Sequence, residues 1–92
     1  MNDYDIFISG PEVPHALKPA TGIVTRRWTD DHGARRCQEL LRIEGWSLHR
    51  DELERETQAA ADDLKVRGIT TKQPPRKAAH YDAGHQTFRN YV

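Results

Sequence analysis

The groups able to hold a metal or move a proton are five histidines (His15, His32, His49, His80, His85), the lone Cys37 and fourteen acids. Structural and catalytic metal sites draw three or four ligands from spacings such as C-x-x-C or H-E-x-x-H. Neither spacing occurs, and no two histidines stand four apart on a helix. His80 and His85 lie in an expected loop and offer two neutral ligands without a third, so solvated histidine is the reading. No metal and no cofactor are expected.

Nucleophilic chemistry fares no better. Cys37 falls on what reads as an apolar helix face, where a thiol is inert packing. His32 is five residues from it, outside the three- or four-residue spacing that joins side chains on a helix. Ser9 and Ser47 lack the G-x-S-x-G elbow, and no glycine-rich phosphate loop is present. The pairs Asp30/Asp31 and Asp62/Asp63 are adjacent, so on a helix their carboxylates diverge. The chain reads as a non-enzyme.

The elements that would position these groups follow from pattern. Thr29 with Asp30 and Asp31 has the character of a helix start. Ala34, Cys37, Leu40 and Leu41 then recur at spacings of three and four, so a first helix is predicted from residue 29 to about residue 43. A second is predicted over residues 49–67, with His49 as cap, Glu52 at the capping-box position and Leu53, Thr57, Ala60, Ala61 and Leu64 as its stripe.

Each predicted helix ends in the same pattern, Leu41-Arg42-Ile43-Glu44-Gly45 and Leu64-Lys65-Val66-Arg67-Gly68. Glycine just past a helix end adopts the left-handed conformation at little steric cost, and the next apolar residue packs back on the helix. Trp46 against Leu41 and Ile69 against Leu64 are the expected contacts. The twin motif is therefore read as two helix stops.

Upstream, "YDIFIS" at residues 4–9 and "GIVTRRW" at residues 22–28 read as two strands able to pair. Downstream, "KQPPRK" is basic and broken by proline, and "HYDAGHQTF" suits a turn between two short extended pieces. The expected fold is a small α+β domain, a two- or three-stranded antiparallel sheet packed on two helices, over residues 1–71. A basic, partly extended C-terminal segment, a partly ordered hairpin or arm, occupies residues 72–92. The predicted core is Ile6, Ile8, Ile23, Val24, Trp28, Cys37, Leu40, Leu41, Trp46, Leu53, Leu64 and Ile69.

The 36% apolar content of a 92-residue chain leaves a thin core, which self-association as a homodimer or a partner would complete. Zero net charge conceals a strong pattern. Residues 51–64 hold six acids against Arg55, and residues 65–92 hold six cations against Asp82. The order helix, turn, helix, basic segment resembles a winged helix, with "DLKVRGITT" leaving the recognition helix for the wing. Six acids on the second helix depart from that pattern, because they repel phosphates.

Protein binding is thus the expected function, through an acidic helix face of Asp51, Glu54, Glu56, Asp62 and Asp63 and the flanking Arg and Trp residues. Its partner would be another protein with a basic surface. The alternative is a winged-helix-like regulator holding nucleic acid through Lys72, Arg76, Lys77 and Arg89. Small motif-free chains of this kind are typical of accessory proteins of phages and mobile elements, including inhibitors of host machinery. A single cysteine and no long apolar run suit a cytoplasmic protein without a membrane span.

Overall fold

The computed structural model describes residues 2–13 and 16–82. Three strands, β1 (Asp3–Ser9), β2 (Pro19–Thr29) and β3 (Arg35–Trp46), form an antiparallel meander. A 3₁₀ turn over Ser47–His49 leads into the single helix α1 (Arg50–Val66), and the chain returns as β4 (Arg76–Lys77), parallel to β3 at Ile43 and Glu44. The sheet is therefore four-stranded and mixed, in the order β1-β2-β3-β4.

This overturns the expected fold of two helices on an antiparallel sheet. Strands β1 and β2 contain the predicted stretches, β2 beginning three residues earlier at Pro19, and pair in register, Ile6 opposite Val24. The second predicted helix is α1. The first predicted helix is instead a hairpin turn followed by β3. Asp30 receives the Gly33 amide on its carbonyl and donates its own amide to Ala34, while Gly33 takes φ +80°. That is a three-residue hairpin loop with glycine at its left-handed position. The Asp30 carboxylate also accepts the amides of His32 and Ala34, both at 2.9 Å.

The helical spacing in β3 has a specific origin. Val24 opposes Leu41 and Thr25 opposes Glu39, so Leu40 is an extra residue in a β-bulge. Leu40 and Leu41 consequently both enter the core, at 0% and 5% exposure. A bulge in an alternating strand thus mimics a three/four repeat. Beyond it strict alternation holds, with Leu41, Ile43 and Gly45 buried and Arg42 and Glu44 exposed.

Gly45 is accordingly mid-strand with no left-handed φ, and only Gly68 (φ +66°) is a helix stop. There the Gly68 amide donates to Lys65 and the Ile69 amide to Leu64, the paired bonds of a Schellman end. Ile69 packs against the core as expected, and its carbonyl accepts the Tyr4 hydroxyl at 2.8 Å.

Helix α1 covers one face of the sheet with Leu53, Thr57, Ala60, Ala61 and Leu64. Close approach needs Gly22, because a Cβ there would collide with the buried Thr57. The core is Ala20, Val24, Leu40, Leu41, Ile43, Leu53, Ala60, Ala61, Leu64 and Ala78, bordered by Tyr4, Ile6, Ile8 and Ile69. Of the predicted core, Cys37 is exposed, and Trp28, Ile23 and Trp46 are only half-buried. Ser47 is fully buried, donating its hydroxyl to the Ala16 carbonyl and accepting the Lys18 amide, so it ties Ala16 and Lys18 to the turn that follows β3. His49 is left as the helix cap and makes no side-chain cap bond. Among the described residues no helix is long and apolar enough to cross a membrane.

Candidate interaction surfaces

The expected acidic face divides once α1 is seated on the sheet. Asp51, Glu54, Asp62 and Asp63 face solvent. Asp62 accepts from Gln58 at 3.0 Å, and Asp63 pairs with Arg67 at 3.0 Å. Glu56 is turned to a structural task, its two carboxylate oxygens receiving the Ala79 amide at 3.1 and 3.3 Å. The exposed remainder is a dispersed patch, each charge weakly coupled to solvent-facing neighbours.

The basic set is also dispersed. Lys72 lies 3.8 Å from Glu39, whose carboxyl is held below its ordinary value mainly by the Arg42 guanidinium at 2.8 Å. Arg76 and Lys77 are exposed on β4, and the Lys77 ammonium stands 4.8 Å above the Tyr81 ring. Arg89 lies outside the described residues, as do His15, His85 and the distal part of the predicted C-terminal hairpin. One groove does join the two sets. Glu56, Asp63 and Arg67 of the helix side face Arg76 and Pro74–Pro75 across a floor of Leu41, Ala60 and Leu64.

The larger feature is one the sequence reading missed. From the bulge to the turn, none of residues 25–39 is buried. This β-ribbon arm, flanked by β1 as far as Arg27, carries Arg26, Arg27, Arg35 and Arg36. The Arg26 guanidinium stacks on Trp28, 3.7 Å from its centroid, and donates to Asn2 and Gln38. Arg27 meets Asp5 at 2.6 Å and Arg36 meets Asp30 at 2.9 Å. Both pairs are solvent-facing. Asp30 is held below its ordinary carboxyl value by the Ala34 amide first and Arg36 next. The signal available in sequence was "DDHG", a turn with glycine at its fourth position, between two runs able to form strands.

His32 is exposed at the arm tip and Cys37 on its second strand. His49 and His80 come together, ring centroids 4.9 Å apart, each with Nδ1 3.9 Å from Glu52. Among the described residues no group of three or more His, Cys, Asp or Glu is arranged to hold a metal ion. No protein-family model, curated protein or solved structure matches the chain.

Proposed function

We propose that this chain is a non-catalytic protein-binding regulator that engages its partner through the projecting β-ribbon arm, with the outer face of α1 as a second contact. The observation that carries the reading is an ordered arm without a core of its own. Ordering each residue costs roughly 1–2 kcal/mol of conformational entropy, and the arm recovers little of it by burial. Such an extension has its use outside the molecule. Trp28, held by Arg26, is a preorganised pair of the residue types that dominate binding hot spots.

The charge of the arm favours a protein over a polyphosphate. Its four arginines are offset by Asp30, Asp31 and Glu39, with Asp3 and Asp5 on the neighbouring β1. Mixed charge of this kind gives specificity against a complementary protein surface rather than attraction along a phosphate chain. The proposal keeps the accessory or inhibitor role expected from the sequence. It also keeps a cytoplasmic setting, where an exposed thiol such as Cys37 stays reduced.

The test is co-purification at low salt from the native cell, comparing the parent with Trp28→Ala/Arg35→Glu and with Glu54→Lys/Asp62→Lys. The arm variant is expected to lose the partner while unfolding at the parent temperature. The helix variant is expected to weaken capture and raise its salt sensitivity. A partner retained by the arm variant defeats the reading. The polyanion alternative rests on Arg76 and Lys77, both exposed at the sheet edge. It predicts a mobility shift that fades with salt and is lost when Lys72, Arg76 and Lys77 become Ala.

A further inference from the structure

The return segment, residues 76–82, is fixed to β3 and α1 by a few specific contacts. Ala78 donates its amide to the Glu44 carbonyl at 2.7 Å, and the Ala79 amide donates to Glu56. Trp46 stacks on Tyr81 with centroids 5.1 Å apart and donates its indole N–H to the Tyr81 carbonyl at 2.9 Å. At the centre sits His80, its side chain only 7% exposed. It lies in a notch that exists because residue 45 is glycine, since a Cβ there would stand 2.8 Å from His80 Nε2.

We propose that His80 makes this segment an acid-released latch: protonation of its ring frees residues 76–82 from β3 and α1 and uncovers the outer edge of β3 at Ile43 and Glu44. Three features of the geometry carry it. The Trp46 amide donates to Nε2 at 3.4 Å, so the docked ring is an acceptor there and a second ring proton would oppose an N–H. The charge would be buried beside the His49 ring, whose centroid is 4.9 Å away. The nearest carboxylate, Glu52, is 3.9 Å away, 56% exposed and equally close to His49.

The other groups around the ring do not reverse this. Helix α1 also presents Glu56, whose carboxylate is committed to Ala79, while β3 contributes Gly45 and Trp46, neither ionisable. The segment itself carries Lys77, Tyr81 and Asp82. Burial first, and then His49, hold the His80 ring below its ordinary value of 6.5, against the opposing pull of Glu52 and Glu56. The sign follows. The docked state binds the proton less readily than the free segment, so docking is full above 6.5 and weakens as pH falls from there toward the lowered value. Each unit between the two values changes the open-to-closed ratio about tenfold.

The experiment uses the full chain with Trp28→Phe, leaving Trp46 as the sole fluorescent indole, titrated from about pH 7.5 to about pH 5, the histidine range. A several-fold rise in the open fraction is expected, read as loss of the Trp46–Tyr81 environment. His80→Gln, which keeps an acceptor but cannot charge, should flatten the transition. His49→Gln should reduce it, because the docked ring then accepts its proton more easily. Nuclear magnetic resonance of the parent's His80 ring guards against a His80→Gln chain that fails to dock. The ring must titrate below 6.5 in step with the Trp46 indole signal. A Trp46 environment unchanged while His80 titrates, or a transition that persists undiminished in His80→Gln, overturns the latch.

Discussion

Residues 41–45 and residues 64–68 share one pattern, leucine, cation, β-branched aliphatic, charge, glycine, and adopt opposite structures. The first is the middle of β3, and the second is the end of α1. In both, the leucine is buried at 5% exposure. The resemblance ends there. Ile43 is fully buried, whereas its counterpart Val66 is 87% exposed. Gly45 is extended and crowded by His80 and Leu53, whereas Gly68 is left-handed with open space around it. Five residues of pattern therefore leave the fold open. What precedes them decides: a hairpin turn sends one into the sheet, and an alanine-rich helix carries the other to its stop.

Substitution at equivalent positions should separate the two stretches. The largest effect belongs to Ile43→Ala, which leaves a void between sheet and helix and should cost about 2–5 kcal/mol in urea unfolding. Gly45→Ala comes next. Its methyl displaces the His80 ring or Leu53, with an expected cost of about 1–3 kcal/mol from overpacking. The loss should be concentrated in residues 76–82, and amide exchange there would rise before exchange in β2 does. Equal loosening of the whole sheet would show that the notch is not what seats His80.

Gly68→Ala should cost about 1 kcal/mol, because an L side chain is strained at that φ although nothing obstructs it. Its unfolding should change without any effect on the Trp46 environment. Val66→Ala should move stability by less than about 0.5 kcal/mol, as expected of an exposed helix position. If Val66→Ala were to cost as much as Ile43→Ala, the contrast between strand and helix end would be lost.

Much of the architecture was legible. β1 and β2 carry β-branched and aromatic runs bounded by glycine and proline, and α1 carries a narrow apolar stripe with a glycine stop. Two things were misread: residues 29–46, and residues 76–77, which the proline-broken basic segment gave no reason to place as a strand parallel to β3. The bulge at Leu40 placed two consecutive leucines in the core and so imitated a helical repeat. The acids Asp30 and Asp31 suit a helix start as well as a turn, and Gly33 was the discriminating residue. Misreading that one turn hid the arm, misplaced Cys37 in the core and joined Arg26, Trp28, Arg35 and Arg36 to no common surface.

The candidate surfaces were legible only in part. Asp51, Glu54, Asp62 and Asp63 are solvent-facing, as helix periodicity implied, because the stripe of Leu53, Thr57, Ala60, Ala61 and Leu64 fixes the opposite side. Glu56 was not separable from them by pattern. Its role depends on Ala79, distant in sequence and brought near only when the chain returns along β3.

Local sequence by itself determined the end of β1 at Gly10, the stop of α1 at Gly68 and which side of α1 is apolar, since these follow from backbone conformation and periodicity within a few residues. Tertiary structure alone decided that residues 35–46 are strand, that Gly45 serves as a seat for His80, and that the two histidines meet. Those outcomes depend on long-range pairing and burial. A strand is stable only beside its partners, and the state of a buried imidazole is set by whatever surrounds it.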